Sequence, residues 1–203
     1  IDKKWLLGIG CCSGNYQTME LNFFSVALNI SVVPRQMYFD ETIGMISNSN
    51  NDILFYSNGV YIANALDDTM QNGSGLNPSA YTSSRNSYGL YLPQGNLVIP
   101  FPDDSMKYYL FHETLDITIS ATTLYLYYSI IDMTLNGGLG AVTQKNVVLI
   151  NDSLNPGRLT ACKHANGRDW WLFARKQNST LMYKLLITPN GIQGPWIDDM
   201  ITY

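Results

Sequence analysis

Short apolar or alternating runs, bounded by Asn, Gly, Asp and Pro, recur along the whole chain, and a helical period is hard to find anywhere. Three stretches share one shape: TIGMISNSNNDILFYSNGVYIAN from Thr42, LVIPFPDDSMKYYLFHETLD from Leu97 and LTACKHANGRDWWLFARKQNSTLMYKLLI from Leu159. Each reads as strand, tight turn, aromatic strand. Aligned on the turn, residues 53–56 fall over residues 108–111 and 170–173, the spacing of a repeat. The aromatic strand of each unit is apolar at consecutive positions, so it needs cover on both faces, whereas a strand of a half-exposed sheet would alternate. Third strands follow as GVYIANA, TLYLYYSIIDM and TLMYKLLI. Fourth strands are predicted at KNVVLI, after the turn NGGLG, and at IQGPWI, after TPNG.

Four-stranded units with doubly buried inner strands are what β-propeller blades require, because each blade stacks between two neighbours. The pattern therefore predicts an all-β, propeller-like domain over residues 1–203, with approximate blades at 1–40, 41–95, 96–157 and 158–203. The first of these supplies three strand candidates, WLLGIG, MELNFF and ISVVP, as though its opening strand were missing. About four units fit a part of a larger ring. Regular short strands also suit a β-sandwich, which stays open as the alternative.

Composition sharpens this picture. Aromatic residues make up 12% and charged residues only 14%, a balance that favours strands and turns. The net charge of −4, with scattered Lys and Arg, argues against a nucleic-acid partner. No apolar run approaches the roughly 18 residues of a membrane helix, so no membrane insertion is expected. The opening IDKKWLLG, without a start Met or apolar leader, is the start expected of a processed or trimmed chain. Cys11 and Cys12 are adjacent and Cys162 is distant, a pattern of buried thiols more than of a disulfide framework.

The stretches NDILFYSNGVYIAN, YSIIDMTLNGGLGAVTQKNVVLI and LTACKHANGRDWWLFARK resemble the N-terminal propeller-like region of large secreted Bacteroidetes proteins. Those proteins often end in a type IX secretion sorting domain or a gliding-motility-associated C-terminal domain. The resemblance runs from Trp5 to about Pro195, and MTLNGGLG and HANGRDWW are its most specific parts. It implies export to the cell surface or the medium. It supplies no reaction and no catalytic residue.

CKHANGRDWWLF, residues 162–173, gathers the most chemistry. Cys162 and His164 are two apart on a predicted strand and could share a metal, yet further ligands are lacking nearby. Asn166 and Gly167 signal a two-residue hairpin turn with both residues at positive φ. Asp169 is expected to bond the turn backbone, and Trp170 and Trp171 to begin a doubly buried strand. The structural reading is thus a hairpin and blade core. His112 and Glu113 are neighbours on a strand and so face opposite sides; His112 is expected to line a channel. The pairs Asp67-Asp68, Asp103-Asp104 and Asp198-Asp199 fall in predicted turns and match neither a calcium loop nor a glycosidase dyad.

Relatives of the resembled kind are O-glycosylated at Asp followed by Ser or Thr and a small or aliphatic residue. DTM, DSM and DSL here make Thr69, Ser105 and Ser153 candidate glycan carriers, all in predicted loops. No cofactor is called for. The expected function is a non-catalytic secreted or cell-surface module for binding, adhesion or assembly. Its partner would be a glycan or protein, with self-assembly or further domains of the same chain also open. The alternatives are a carbohydrate-active hydrolytic propeller and a structural subunit of a surface layer or filament.

Overall fold

The computed structural model of the chain describes residues 3–8, 18–23, 27–115 and 122–201. Cys11 and Cys12 lie outside these. The described chain is all-β apart from a five-residue helix, α1 (Ala80–Ser84), and a single 3₁₀ turn at Asn136–Gly138. Every strand pair within a sheet is antiparallel.

Three sheets form in chain order. The first holds β1 (Lys4–Leu7), β2 (Thr18–Asn22) and β3 (Asn29–Val33), and the second holds β4 (Gly44–Ser47), β5 (Ile53–Ser57) and β6 (Ile62–Asn64). The third is a meander of β7 (Asn96–Phe101), β8 (Asp104–Glu113), β9 (Thr123–Asp132), β10 (Ala141–Lys163), β11 (Trp170–Lys176), β12 (Leu181–Thr188) and β13 (Gly191–Asp199). Among the described residues no sheet closes on itself: β7 and β13 are the two edges of the third.

The sequence pattern predicts separate strands at KNVVLI and LTACK, but both belong to the 23-residue β10. Residues 141–154 of β10 pair with β9, and pairing with β11 resumes fully at Leu159 after a register shift. Asn155, Pro156 and Gly157 fill that shift, where Pro156 has no N–H to donate and Gly157 takes φ +68°. The third sheet is in effect two four-stranded meanders that share one bulged strand.

The layers pack face to face. One core joins Phe55, Ile46 and Ile62 of the second sheet to Tyr108, Leu110 and Ile131 of the first meander. The opposite face of that meander, with Ile99, Tyr109, Phe111 and Leu126, meets Leu172, Leu185 and Ile187 of the second meander. A third core sets Leu6 of the first sheet against Tyr56 and Ala63 of the second, with Met37 and Phe39 between them. β8 thus lies inside the stack, and its residues 108–113 are all buried. β11 does not match this. Leu172 and Ala174 are buried, but Trp171 and Phe173 are half exposed, so the expectation of double burial at Trp170 and Trp171 is corrected. Trp170 packs on the core side, and the other side of the last meander is open.

Close approach of the layers shows at one residue. A Cβ on Gly44 of β4 would lie 2.8 Å from Asn96 Cβ of β7, so glycine is what lets these two strands lie side by side. Asn96 Nδ2 in turn donates to the Ser57 carbonyl at 3.3 Å and to Ser57 Oγ at 3.2 Å. β1 lies beside β4 and β7 beside β10 in the same way.

Candidate functional site

The hairpin at residues 162–173 forms by a four-residue loop. His164 N–H donates to Asp169 O at 2.8 Å, and Gly167 N–H donates to His164 O at 2.9 Å. Gly167 has φ +75°, whereas Asn166 is not at positive φ, so the expected two-residue turn is replaced by a turn that ends on one left-handed glycine. Asn166 acts through its side chain instead: Oδ1 accepts from the N–H groups of Arg168 and Asp169, both at 3.0 Å, and Nδ2 donates to Asp169 Oδ2 at 2.8 Å. Asp169 also accepts from Arg168 Nε at 2.7 Å, and that bond, helped by Asn166, holds its carboxyl below the usual range. The aspartate clasps the turn through the Asn166 and Arg168 side chains instead of through the turn backbone, where its bond is expected.

His164 and Cys162 follow on the open side. His164 Nδ1 accepts from Asn166 N–H at 3.1 Å, which commits that nitrogen to the turn. Cys162, expected to be a buried thiol, is instead an exposed free thiol opposite Trp171 in the register. Among the described residues no third metal-ligating side chain joins them.

What the hairpin does assemble is an aromatic surface. The His164 and Trp171 rings are 5.7 Å apart, and Trp171 meets Trp196 of β13 edge-on at 6.2 Å. Lys184 of β12 extends over Trp171, its Nζ 5.8 Å from the ring centre, and is held by Asp198 at 2.6 Å. Trp196 is 43% exposed, so an apolar ring face stays open to solvent beside a cation. Trp5, on the first sheet at the other end of the stack, is 53% exposed and edge-packed on Phe23.

The titratable groups with catalytic potential lie elsewhere and are used internally. His112 is fully buried instead of lining a channel: Nδ1 contacts Asn77 Oδ1 at 2.8 Å and Nε2 contacts Ser129 Oγ at 2.9 Å. Asn77, from the connection between β6 and β7, covers its ring, so β8 is closed on this face too, as its consecutive apolar positions predict. Glu113 points the opposite way, is also buried, and accepts from Gly157 N–H at the β10 bulge. The Asp pairs are divided among structural partners. Asp67 accepts from Tyr56 and Gln36, Asp104 from Lys107, Asp103 from Arg168 and Asp199 from Thr180.

Of the glycan candidates, Thr69 is exposed in the long connection between β6 and β7. Ser105 is exposed but sits at the start of β8, and Ser153 is half-buried inside β10, so two of the three lie on strands where loops are expected. The connection over residues 65–95 carries a feature that the motif reading passes over. It walls a cleft of about 520 Å³ between residues 60–61 and α1. A connection that long between adjacent strands is itself a functional signal.

Comparison with known protein families, characterised proteins and solved structures finds no match to this chain.

The buried pair sets a pH dependence of stability. Burial pushes His112 down to about 3 from 6.5, so the unfolded chain takes up a proton that the native one refuses, and stability falls as pH drops below about 6.5. Burial pushes Glu113 up to about 8 from 4.5, only partly countered by the Gly157 N–H, so stability also falls as pH rises from about 4.5 to 8. Between 4.5 and 6.5 the two slopes cancel. Denaturant unfolding from pH 3 to 9 is expected to show a plateau there, with a decline on both sides. Glu113→Gln removes Glu113's share of the alkaline decline; an unchanged alkaline decline in that variant would refute the assignment.

Proposed function

We propose that the chain is part of a secreted or cell-surface β-propeller that binds or assembles without catalysing a reaction. Support for the propeller comes from the order of contacts. The first strands of successive units are neighbours, β1 with β4, β4 with β7, and β7 with β10, as inner strands around a common axis would be, so β1 takes the opening position that the sequence pattern leaves vacant in residues 1–40. The successive layers also stack in chain order, each using an apolar face.

The observation that carries the binding reading is the open Trp171–Trp196 surface with Lys184 and His164 beside it. Aromatic side chains with a polar edge give large contact area at small entropic cost, and exposed tryptophans of this kind dominate interfaces. The carboxylates beside this surface are engaged structurally, Asp198 by Lys184 and Asp199 by Thr180, which favours binding over hydrolysis. The first sheet favours assembly in particular. Its outer face aligns Trp5, Leu7, Met19, Leu21, Ile30 and Val32, while its inner face carries Lys4 and Glu20. Ile30 and Val32 are each 58% exposed, an apolar sheet face of the kind that another sheet covers, whether from further chain or a partner. Export follows from the sequence resemblance and is proposed on that basis.

O-glycosylation is proposed at Thr69 and Ser105, which are exposed, and at Ser153, which would need β10 to open at its bulge. Intact mass of protein isolated from its native source is expected to exceed the polypeptide mass by whole glycan units; the bare polypeptide mass would remove the proposal. For binding, an array of glycans and cell-surface proteins is expected to retain the wild-type chain and to retain Trp196→Ala about tenfold less. Turnover of a glycoside panel, or equal retention of the variant, would contradict the reading.

A further inference from the structure

We propose that the cleft beside α1 is a binding site for a neutral sugar, a hexopyranose in particular. It is distinct from the Trp171–Trp196 surface and lies in another layer of the stack, so it does not depend on the function proposed for that surface.

The lining decides the ligand class. Val60 and Leu76 are buried and form an apolar floor, and Tyr61 and Pro78 add apolar walls. Hydroxyls and an amide complete the lining, Ser74 and Asn86 among them, and none of the lining residues carries a charge. A charged ligand would find no counter-charge on the lining itself, and the adjoining Lys145 is already engaged by the Asn72 and Ser74 oxygens, so the hydration it lost would not be replaced. A large apolar ligand would leave the hydroxyls unmatched. A pyranose presents both kinds of surface, with C–H groups for the floor and walls and hydroxyls for the polar side chains. The volume of about 520 Å³ lies within the usual range for small-molecule sites.

The polar groups are available. The Tyr61 hydroxyl, the Ser74 hydroxyl and the Asn86 amide bond no other described residue, in contrast to Ser79 and Thr82, which are used at the start of α1. The wall over residues 74–77 is tied to its neighbours by hydrogen bonds. Leu76 N–H donates to Val60 O at 3.0 Å, and Asn77 Nδ2 donates to Gly59 O at 2.9 Å. Asn146 Nδ2 holds Gly75 O at 2.8 Å, and Lys145 Nζ holds Ser74 O at 2.9 Å. Asn77 also contacts the buried His112, so the polar network under the cleft anchors its floor to β8. Preformed walls with unpaired neutral donors and acceptors are what keep the ordering cost of binding small. Thr69 stands on the lining as well, and a glycan there would occupy the mouth of the cleft.

The test uses unglycosylated recombinant protein, with methyl glycosides of glucose, galactose and mannose as probes and glucuronate and glucosamine as charged counterparts. Amide chemical shifts are followed by NMR. At least one neutral glycoside is expected to shift the amides of Tyr61, Ser74 and Asn86 saturably, with the charged sugars weaker. Tyr61→Phe and Asn86→Ala are each expected to weaken binding by about 2- to 10-fold, the worth of one hydrogen bond. Trp196→Ala is expected to leave it unchanged. The cleft is overturned by no saturable shift at these amides, by binding that survives both substitutions, or by tighter binding of a charged sugar. Shifts confined to Trp171 and Trp196 would likewise overturn it, while leaving the function proposed for that surface intact.

Discussion

Burial of β8 on both faces is the constraint from which the remaining architecture follows. Its residues Tyr108 and Leu110 point into one core and Tyr109 and Phe111 into the next, so the strand cannot lie at a surface. Each of these side chains contributes roughly 1.5–3 kcal/mol when taken from water, and half of that total is lost if either neighbouring layer is absent. The second sheet and the last meander therefore have to close over β8 from opposite sides. His112 and Glu113, at the end of the same strand, are enclosed along with it and kept neutral, one bonded to Asn77 and Ser129 and the other to Gly157.

Two further features serve this packing. β10 runs through both meanders, and its bulge at residues 155–157 marks where the chain leaves one partner strand for the next. Glu113 accepts from that bulge, so a carboxyl buried for the sake of β8 also fixes the point at which the layers change. Gly44 permits β4 and β7 to touch. The price of such a stack is its ends. The outer faces of the first sheet and of the last meander keep Trp5, Ile30, Val32 and Trp196 in solvent, and the proposed contacts fall there.

The all-β class was legible because strand periodicity, turn residues and doubly apolar runs agree with one another. The strands at residues 53–57, 104–113 and 170–176 fall where the repeat puts them. β11 was over-read: WWLF is as apolar as YYLF, but a continuous apolar run cannot tell a covered face from one left open for a partner. The turn at Asn166-Gly167 was placed correctly in sequence and wrongly in type, because Asn can cap with its side chain as readily as it adopts positive φ. The burial of His112 is not legible in the sequence, because nothing local shows that Asn77, thirty-five residues earlier, supplies its partner. The cleft has no signature in the sequence because it contains no titratable motif. Tyr61, Ser74 and Asn86 are ordinary residues, brought together by a connection whose length was the available signal.

The stacked arrangement around β8 is tested most directly by native-state hydrogen exchange resolved by residue. Amides of β8 and β5 are expected to exchange only through global unfolding, with those of β3 and β13, at the open ends, exchanging faster by sub-global opening. Protection in β8 no greater than in β3 would contradict the account, because a strand covered on one face only opens with its own sheet.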